Sequence, residues 1–96
     1  MEQVIEEPEV RTDVIEAMRD LARHGAGVRE LAECVQFKVQ LKPDSLLPLL
    51  WYFMKAFYLP LGDVLPIREW LGTTGDASIN ALILPAIERT KRKWSA

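Results

Sequence analysis

The chain has 96 residues, of which 49% are apolar and 27% are charged, and its formal net charge is −2. A chain of this size predicts one domain over residues 1–96, and its apolar content excludes a disordered protein. One cysteine excludes an internal disulfide, and together with the single histidine it cannot supply the ligands of a structural zinc site, so we expect no metal or cofactor.

The first predicted helix lies between Val10 and His24, after a segment 1–7 that we expect to be disordered or loosely attached. Its apolar residues recur at helical spacing and share one face: Val10, Val14, Ala17, Met18 and Leu21. Gly25 and Gly27 follow, and a glycine in this place can take the left-handed conformation that ends a helix. We therefore expect the helix to end near His24.

Residues 28–41 match two patterns. An apolar residue at every third or fourth position fits a helix, whereas residues 35–42 alternate apolar and polar as a half-buried strand does. A lone strand leaves its backbone groups unpaired, and elsewhere only residues 79–84 resemble a strand. We predict a second helix here, with a short strand at 35–41 as the main alternative.

The third predicted helix, about residues 45–58, is the most apolar part of the chain. It follows the break and capping residues of Lys42–Ser45, and only Pro48, Tyr52 and Lys55 share a narrow, less apolar stripe on it. A helix that is apolar nearly all round must be surrounded, by its own chain or by a second subunit. We predict an all-α bundle of four to five helices around this central one.

In the last third of the chain, the sequence pattern predicts short elements followed by a longer helix. Residues 60–71 suit a short helix or two turns with Val64, Ile67, Trp70 and Leu71 facing inward, and residues 72–75 suit a loop. Asp76 or Ser78 can cap a last helix with the apolar stripe Ile79, Leu82, Ile83, Ala86 and Ile87. Pro85 lies inside that helix, where a proline costs about 3 kcal/mol, so we predict a kink or a restart there.

Four carboxylates form a candidate acidic docking stripe on the first helix. They are spaced by four, three and four residues, which places them on one face: Glu9, Asp13, Glu16 and Asp20. The stripe is either an ordinary solvated face or a docking strip for a basic partner. A catalytic pair of carboxylates needs a pocket that separates their pKa values, which an exposed helix face lacks.

Charge is distributed unevenly, and the C-terminal end is basic. Residues 1–34 hold nine acids against four bases, whereas residues 35–96 hold five acids against eight bases. The candidate basic patch consists of Arg89, Lys91, Arg92, Lys93 and Trp94. Such a patch can bind phosphates and stack on a base, although cations in a last helical turn also complement the helix dipole. An acidic protein with so short a basic end is a poor nucleic-acid binder.

A candidate apolar interface or pocket is formed by the large side chains Trp51, Phe53, Met54, Phe57 and Trp70. A small domain cannot cover all of its apolar surface, and the surface that is left exposed usually marks a site of association. We therefore predict a non-enzymatic helical protein–protein interaction domain, either a homodimer or a binder of a cognate partner of the adaptor, antitoxin or immunity type. The alternatives are a nucleic-acid-binding regulator that uses the basic end and a carrier of a small apolar ligand.

Signals for catalysis, export and membrane insertion are missing from the sequence. It contains no Gly-rich phosphate loop and no HExxH or GxSxG motif, so we predict that the protein is not an enzyme. The N-terminus is acidic where a secretory signal is basic. The longest apolar run, residues 46–61, is shorter than the about 20 residues that span a bilayer. We expect a cytoplasmic protein without a membrane partner.

Overall fold

The computed structural model describes residues 10–41, 46–70 and 75–95. The expectations for residues 1–7, Glu9, the break at 42–45, Leu71 and most of the loop at 72–75 lie outside the described residues. The described part of the chain contains helices and no strand, which confirms the predicted all-α class. Its helices are α1 (Thr12–Arg23), α2 (Val28–Val39), α3 (Leu46–Phe57), α4 (Leu61–Val64), α5 (Pro66–Trp70), α6 (Ala77–Arg89) and α7 (Lys91–Trp94).

α1 ends where the glycines predicted. Gly25 has a φ of +85°, a left-handed conformation that a residue with a side chain rarely adopts. The amide of Gly25 donates to the carbonyl of Ala22, and the amide of Ala26 donates to the carbonyl of Leu21. These two bonds form a Schellman motif, which satisfies carbonyls that a helix end otherwise leaves unpaired.

α2 resolves the ambiguity of residues 28–41 in favour of a helix, so the alternative strand at 35–41 is wrong. The residues that α2 buries are Val28, Leu31, Ala32 and Val35, which follow the helical stripe. Phe37, an apolar member of the alternating pattern, points outward with 82% of its surface exposed. Helical geometry pairs the backbone groups within the segment, whereas the described residues offer no second strand to pair with it.

The N-terminus of α2 is capped by a side chain from α6. The backbone amide of Val28 donates to Oδ1 of Asn80 at 2.9 Å. A Cβ on Gly27 would lie 3.4 Å from the amide group of Asn80, so glycine leaves room for this close approach. An oxygen acceptor here satisfies one of the free amides of the helix start. The bond therefore also fixes the position of α6 relative to α2.

α3 is the central helix, as predicted, and it packs against α1, α2, α4 and α7. Tyr52 was predicted to lie on a less apolar stripe of this helix, and this prediction is wrong because Tyr52 is buried. The Tyr52 hydroxyl can be buried because it accepts a hydrogen bond of 3.0 Å from the backbone amide of Arg11. The side of α3 that faces outward instead carries Leu47, with 73% of its surface exposed. α3 is thus central but not enclosed by the described part of its own chain.

The C-terminal carbonyls of α3 are satisfied by side chains of other elements. The Arg19 Nε donates to the carbonyl of Ala56 at 2.8 Å, and the Thr90 hydroxyl donates to the carbonyl of Phe57 at 2.7 Å. A guanidinium at this end also complements the negative end of the helix dipole. α1 and the α6–α7 junction are therefore both tied to the end of α3.

The short elements before α6 follow the prediction, whereas α6 itself departs from it. Val64, Ile67 and Trp70 are buried as expected. α6 runs as one helix through Pro85, so the predicted restart is wrong, and a kink at this position stays a prediction. Pro85 and Ala81 are both exposed, so water can reach the Ala81 carbonyl that the proline leaves without a donor. Leu82, which the sequence pattern placed on the buried stripe, is 59% exposed.

Three aromatic residues form the centre of the core. The Phe57 ring lies 6.3 Å from that of Phe53 and 5.1 Å from that of Trp94, in the tilted and edge-on arrangements that aromatic pairs prefer. The Trp94 Nε1 donates to the carbonyl of Ile87 at 3.0 Å. Trp94 therefore anchors the short helix α7 to the core.

We predict that Phe57→Ala lowers the free energy of unfolding by about 3 to 5 kcal/mol, because Phe57 is fully buried between two other rings. The matched control is Phe37→Ala, which removes an exposed ring and is expected to change stability by less than about 0.5 kcal/mol. Urea denaturation followed by circular dichroism measures both. Equal losses in the two variants contradict this account of the core.

Candidate functional site

The open face of α3 forms a groove together with the segment that follows it, here called the α3 groove. It consists of two adjoining clefts of about 260 and 580 Å³, which share Trp51 and Met54. The first cleft is also lined by Leu47, Leu50 and Leu61. The second is also lined by Lys55, Tyr58, Leu59, Pro60 and Lys93.

The α3 groove has a buried floor and an exposed rim. Leu50 and Leu59 are almost fully buried and form the floor. Leu47, Tyr58 and Leu61 stand on the rim, where Tyr58 is 52% and Leu61 48% exposed. Apolar side chains that are both exposed and contiguous are uncommon on a soluble protein unless they take part in association.

Trp51 carries an unusual polar atom in the groove. Its indole Nε1 is buried and has no hydrogen-bond partner among the described residues, whereas Trp70 and Trp94 each donate to an acceptor. A buried donor without an acceptor costs about 1 to 3 kcal/mol. The ammonium of Lys55 lies 5.4 Å from the centre of the Trp51 ring, within the range of a cation–π contact.

The charge of the α3 groove is positive and lies at one end. Lys55 and Lys93 line the second cleft, and none of the described residues that line the two clefts is acidic. Lys93 belongs to α7, whose neighbouring Lys91 and Arg92 are also exposed. Within the described residues these three α7 side chains make no ion pair. The groove is therefore apolar at the Leu47 end and cationic at the Lys93 end.

The predicted apolar site residues separate into two groups. Trp51 and Met54 line the α3 groove, whereas Phe53 and Phe57 are fully buried in the core and cannot meet a partner or line an accessible pocket. Trp70 is buried at a different place, beside Asp76. The sequence did not single out Leu47, Tyr58 and Leu61, because an unbroken apolar run gives no contrast between its inner and outer faces.

The described part of the acidic stripe lies on the exposed side of α1, and each of its carboxylates has a basic side chain nearby. The pairs are Arg11–Asp13 at 2.7 Å, Arg19–Glu16 at 3.4 Å and His24–Asp20 at 3.9 Å. The hydrogen bond from Arg11 lowers the pKa of Asp13 below its ordinary value. A basic partner would have to compete with these neighbours for the carboxylates.

The basic patch is only partly available at the surface. Arg89 is paired with Asp63 at 2.8 Å, and Trp94 is buried with its indole bonded to the backbone. A buried indole cannot stack on a nucleobase as the sequence suggested. The exposed cations of this patch are Lys91, Arg92 and Lys93, and Lys93 belongs to the α3 groove.

Groups that could carry chemistry do not converge in the described residues. No three His, Cys, Asp or Glu side chains there come close enough together to hold a metal ion. Burial raises the pKa of the Cys34 thiol, and Lys38 opposes this shift. A raised pKa keeps a thiol protonated at neutral pH, which makes it a weak nucleophile.

Comparisons of the chain with protein families, with curated proteins and with solved structures find no match. Among the described helices, none has the length and apolar character needed to cross a bilayer. The functional argument therefore depends on the geometry of the α3 groove.

A second polar contact, outside the groove, joins α2 to the start of α6. The guanidinium of Arg29 binds the carboxylate of Asp76 through two nitrogens, at 2.8 and 2.9 Å, and lies 5.4 Å from the centre of the Trp70 ring. Asp76 does stand at the helix start, as predicted, but its side chain makes no capping bond because Arg29 and Trp70 occupy it. The bonds from Arg29 lower the pKa of Asp76 below its ordinary value.

We predict that the stability of the protein decreases as the pH falls through the ordinary Asp pKa of about 3.9 and below. The pKa of Asp76 is lowered in the folded chain, so at acid pH the unfolded chain takes up a proton first, and the contribution of the ion pair to stability is lost. Asp76→Asn and Arg29→Gln should each flatten this dependence. Urea denaturation over a pH series measures it, and an unchanged slope in Asp76→Asn argues against the assignment.

Proposed function

We propose that the protein is a non-enzymatic protein-binding domain that uses the α3 groove to bind an apolar surface of a second polypeptide. The observation that carries the proposal is the open apolar face of the central helix. Leu47 is 73% exposed on that face, and Trp51 and Met54 beside it are only partly covered. The core helix of a small domain normally has neighbours on all apolar sides, so a partner that covers this face removes a large apolar area from water.

The shape of the groove favours a polypeptide over a small apolar ligand. From Leu47 to Met54 the face extends along α3 for about 10 Å, at about 1.5 Å for each residue, and the exposed Tyr58 and Leu61 continue the rim beyond the end of the helix. A small-molecule site usually encloses most of its ligand, whereas the rim of this groove is exposed along its length. Phe53 and Phe57, which the carrier alternative needs in the wall of a pocket, are instead packed in the core.

The charges and aromatic residues also favour a polypeptide over a nucleic acid. Nucleic-acid binding at the C-terminal end needs free cations and an accessible aromatic ring. Lys91, Arg92 and Lys93 are exposed, but Arg89 is paired with Asp63, Trp94 is buried, and the whole chain has a net charge of −2. A cytoplasmic location forms part of the proposal and is supported by the single cysteine, because proteins of reducing compartments rarely depend on disulfides.

The proposal predicts that Leu47→Glu weakens association by about tenfold or more, because a carboxylate replaces an exposed apolar contact without disturbing the core. The measurement combines affinity capture from the source organism, with quantitative mass spectrometry, and sedimentation velocity, which detects self-association.

Phe37→Glu and Leu82→Glu are the matched controls, because both residues are exposed apolar side chains outside the groove. The proposal expects the same species to bind the wild type and both controls and to be lost from Leu47→Glu. It fails when the wild type is a monomer and captures no protein that Leu47→Glu does not also capture.

A further inference from the structure

Resting on the function proposed above, we infer that Tyr58 anchors the second polypeptide in the α3 groove: in the second cleft, its ring packs against an apolar side chain of that polypeptide.

The turn that places Tyr58 in the cleft occurs at three helix ends of the described chain. Just beyond each helix one residue has a positive φ, and the backbone amide of the next residue donates to the carbonyl five positions before it. The residues with positive φ are Gly25 after α1, Gln40 after α2 and Tyr58 after α3, at +85°, +58° and +53°. All three turns are therefore Schellman motifs.

Tyrosine is an unusual residue for this turn. A positive φ crowds the Cβ of an L-residue against the backbone, so glycine is favoured, as at Gly25, and a bulky residue is rare. A glycine at position 58 could end α3 with the same hydrogen bond from the amide of Leu59 to the carbonyl of Met54. The tyrosine therefore strains the backbone without being needed for the turn.

The ring of Tyr58 is also poorly buried. It is 52% exposed, so it contributes only part of the free energy that a buried ring provides. It lines the second cleft, beside Leu59 and Pro60. Strained residues that persist in a structure are concentrated at binding and catalytic sites. Strain, exposure and position in the cleft together indicate that the ring takes part in binding.

Arg19 holds the ring in place before a partner binds. Its guanidinium lies 5.6 Å from the centre of the Tyr58 ring, within the range of a cation–π contact. The guanidinium is itself fixed, because its Nε donates to the carbonyl of Ala56 at 2.8 Å. A ring that is already in place loses little conformational freedom on binding, and tyrosine is among the residue types that contribute most to interface affinity.

The lining of the second cleft indicates which part of the partner meets the ring. Apart from two lysines, the lining residues are apolar: Trp51, Met54, Tyr58, Leu59 and Pro60. A polar side chain pressed against these surfaces loses hydrogen bonds to water, whereas an apolar side chain gains free energy by leaving water. The contact of Tyr58 is therefore an aliphatic or aromatic side chain of the second polypeptide.

The strain at Tyr58 is tested by thermal melts of the full chain and its variants, followed by circular dichroism. Tyr58→Gly and Gln40→Gly are each expected to melt about 4 to 8 °C above the matching alanine variants, because alanine removes the side chain but keeps the strain. Equal melting temperatures for Tyr58→Gly and Tyr58→Ala contradict the strain and overturn the inference. The melts also establish that each variant used for binding is folded.

The binding role is tested with random peptides of about 12 residues that are displayed on phage and selected on the full wild-type chain. Selected peptides that do not bind Leu47→Glu are groove binders, and isothermal titration calorimetry measures their affinities. Tyr58→Gly is expected to weaken their binding about tenfold or more. Gln40→Gly, the matched control, makes the same backbone change outside the groove and should leave binding unchanged. Tyr58→Phe keeps the ring and should bind as the wild type does.

The side chain that meets Tyr58 is located by replacing the apolar residues of a selected peptide with alanine, one at a time. One replacement is expected to weaken binding to the wild type about tenfold and to have little further effect in Tyr58→Gly, because the two side chains contact each other. Effects that simply add for every apolar residue of the peptide contradict the proposed contact.

Failure of the inference and failure of the proposed function are distinguishable. When no selected peptide depends on Leu47, both are removed. Peptides that depend on Leu47 but bind Tyr58→Gly as tightly as the wild type remove the role of Tyr58 and leave the protein-binding function. A loss in Tyr58→Phe as large as that in Tyr58→Gly also overturns the inference, because it assigns the contact to the hydroxyl group.

Discussion

α3 has more apolar surface than the rest of the described chain covers. Its inner side supplies Phe53 and Phe57, and these rings meet Trp94 in the centre of the core. Its outer side carries Leu47, Trp51 and Met54, which the neighbouring helices α1, α2, α4 and α7 leave open. The same element therefore stabilises the fold and presents the surface on which the proposed function depends.

Polar side chains that join different helices fix how the helices are placed relative to one another. Burial of apolar area is not directional, so it does not by itself fix how helices are placed. Asn80 binds the start of α2, Arg11 donates to the carbonyl of Lys38 near the end of α2, and Arg19 and Thr90 bind the end of α3. Each contact satisfies a group that a helix terminus leaves unpaired, and each joins elements that are distant in sequence.

The sequence predicted the elements better than it predicted their faces. Helical periodicity and the glycines after His24 were enough to place α1, and the cost of an unpaired strand decided α2 correctly. These arguments do not identify the exposed face of α3, because a helix that is apolar on every side shows no sequence contrast between its inner and outer faces. Tyr52 was assigned to the surface because a hydroxyl is polar, but the amide of Arg11, 41 positions earlier, allows it to be buried.

The candidate site was predicted only in part for the same reason. Trp51 and Met54 were expected at an apolar surface and lie there, whereas their neighbours Phe53 and Phe57 are in the core. Lys93 was interpreted as part of a phosphate-binding patch, and its place beside the groove depends on how Trp94 anchors α7. Asp76 was expected to cap α6, but its carboxylate instead accepts hydrogen bonds from Arg29, 47 positions away in the sequence. Contacts of this range depend on the tertiary structure, which local patterns do not contain.

The three tryptophans make the intrinsic fluorescence of the protein a probe of the α3 groove. Trp70 and Trp94 are buried and hydrogen-bonded, so their emission should respond little to events at the surface. Trp51 borders the groove under the ammonium of Lys55, where a change in polarity or in the position of that charge alters the emission of an indole. Binding in the groove can therefore be followed in solution by the fluorescence of Trp51, without a label on the protein.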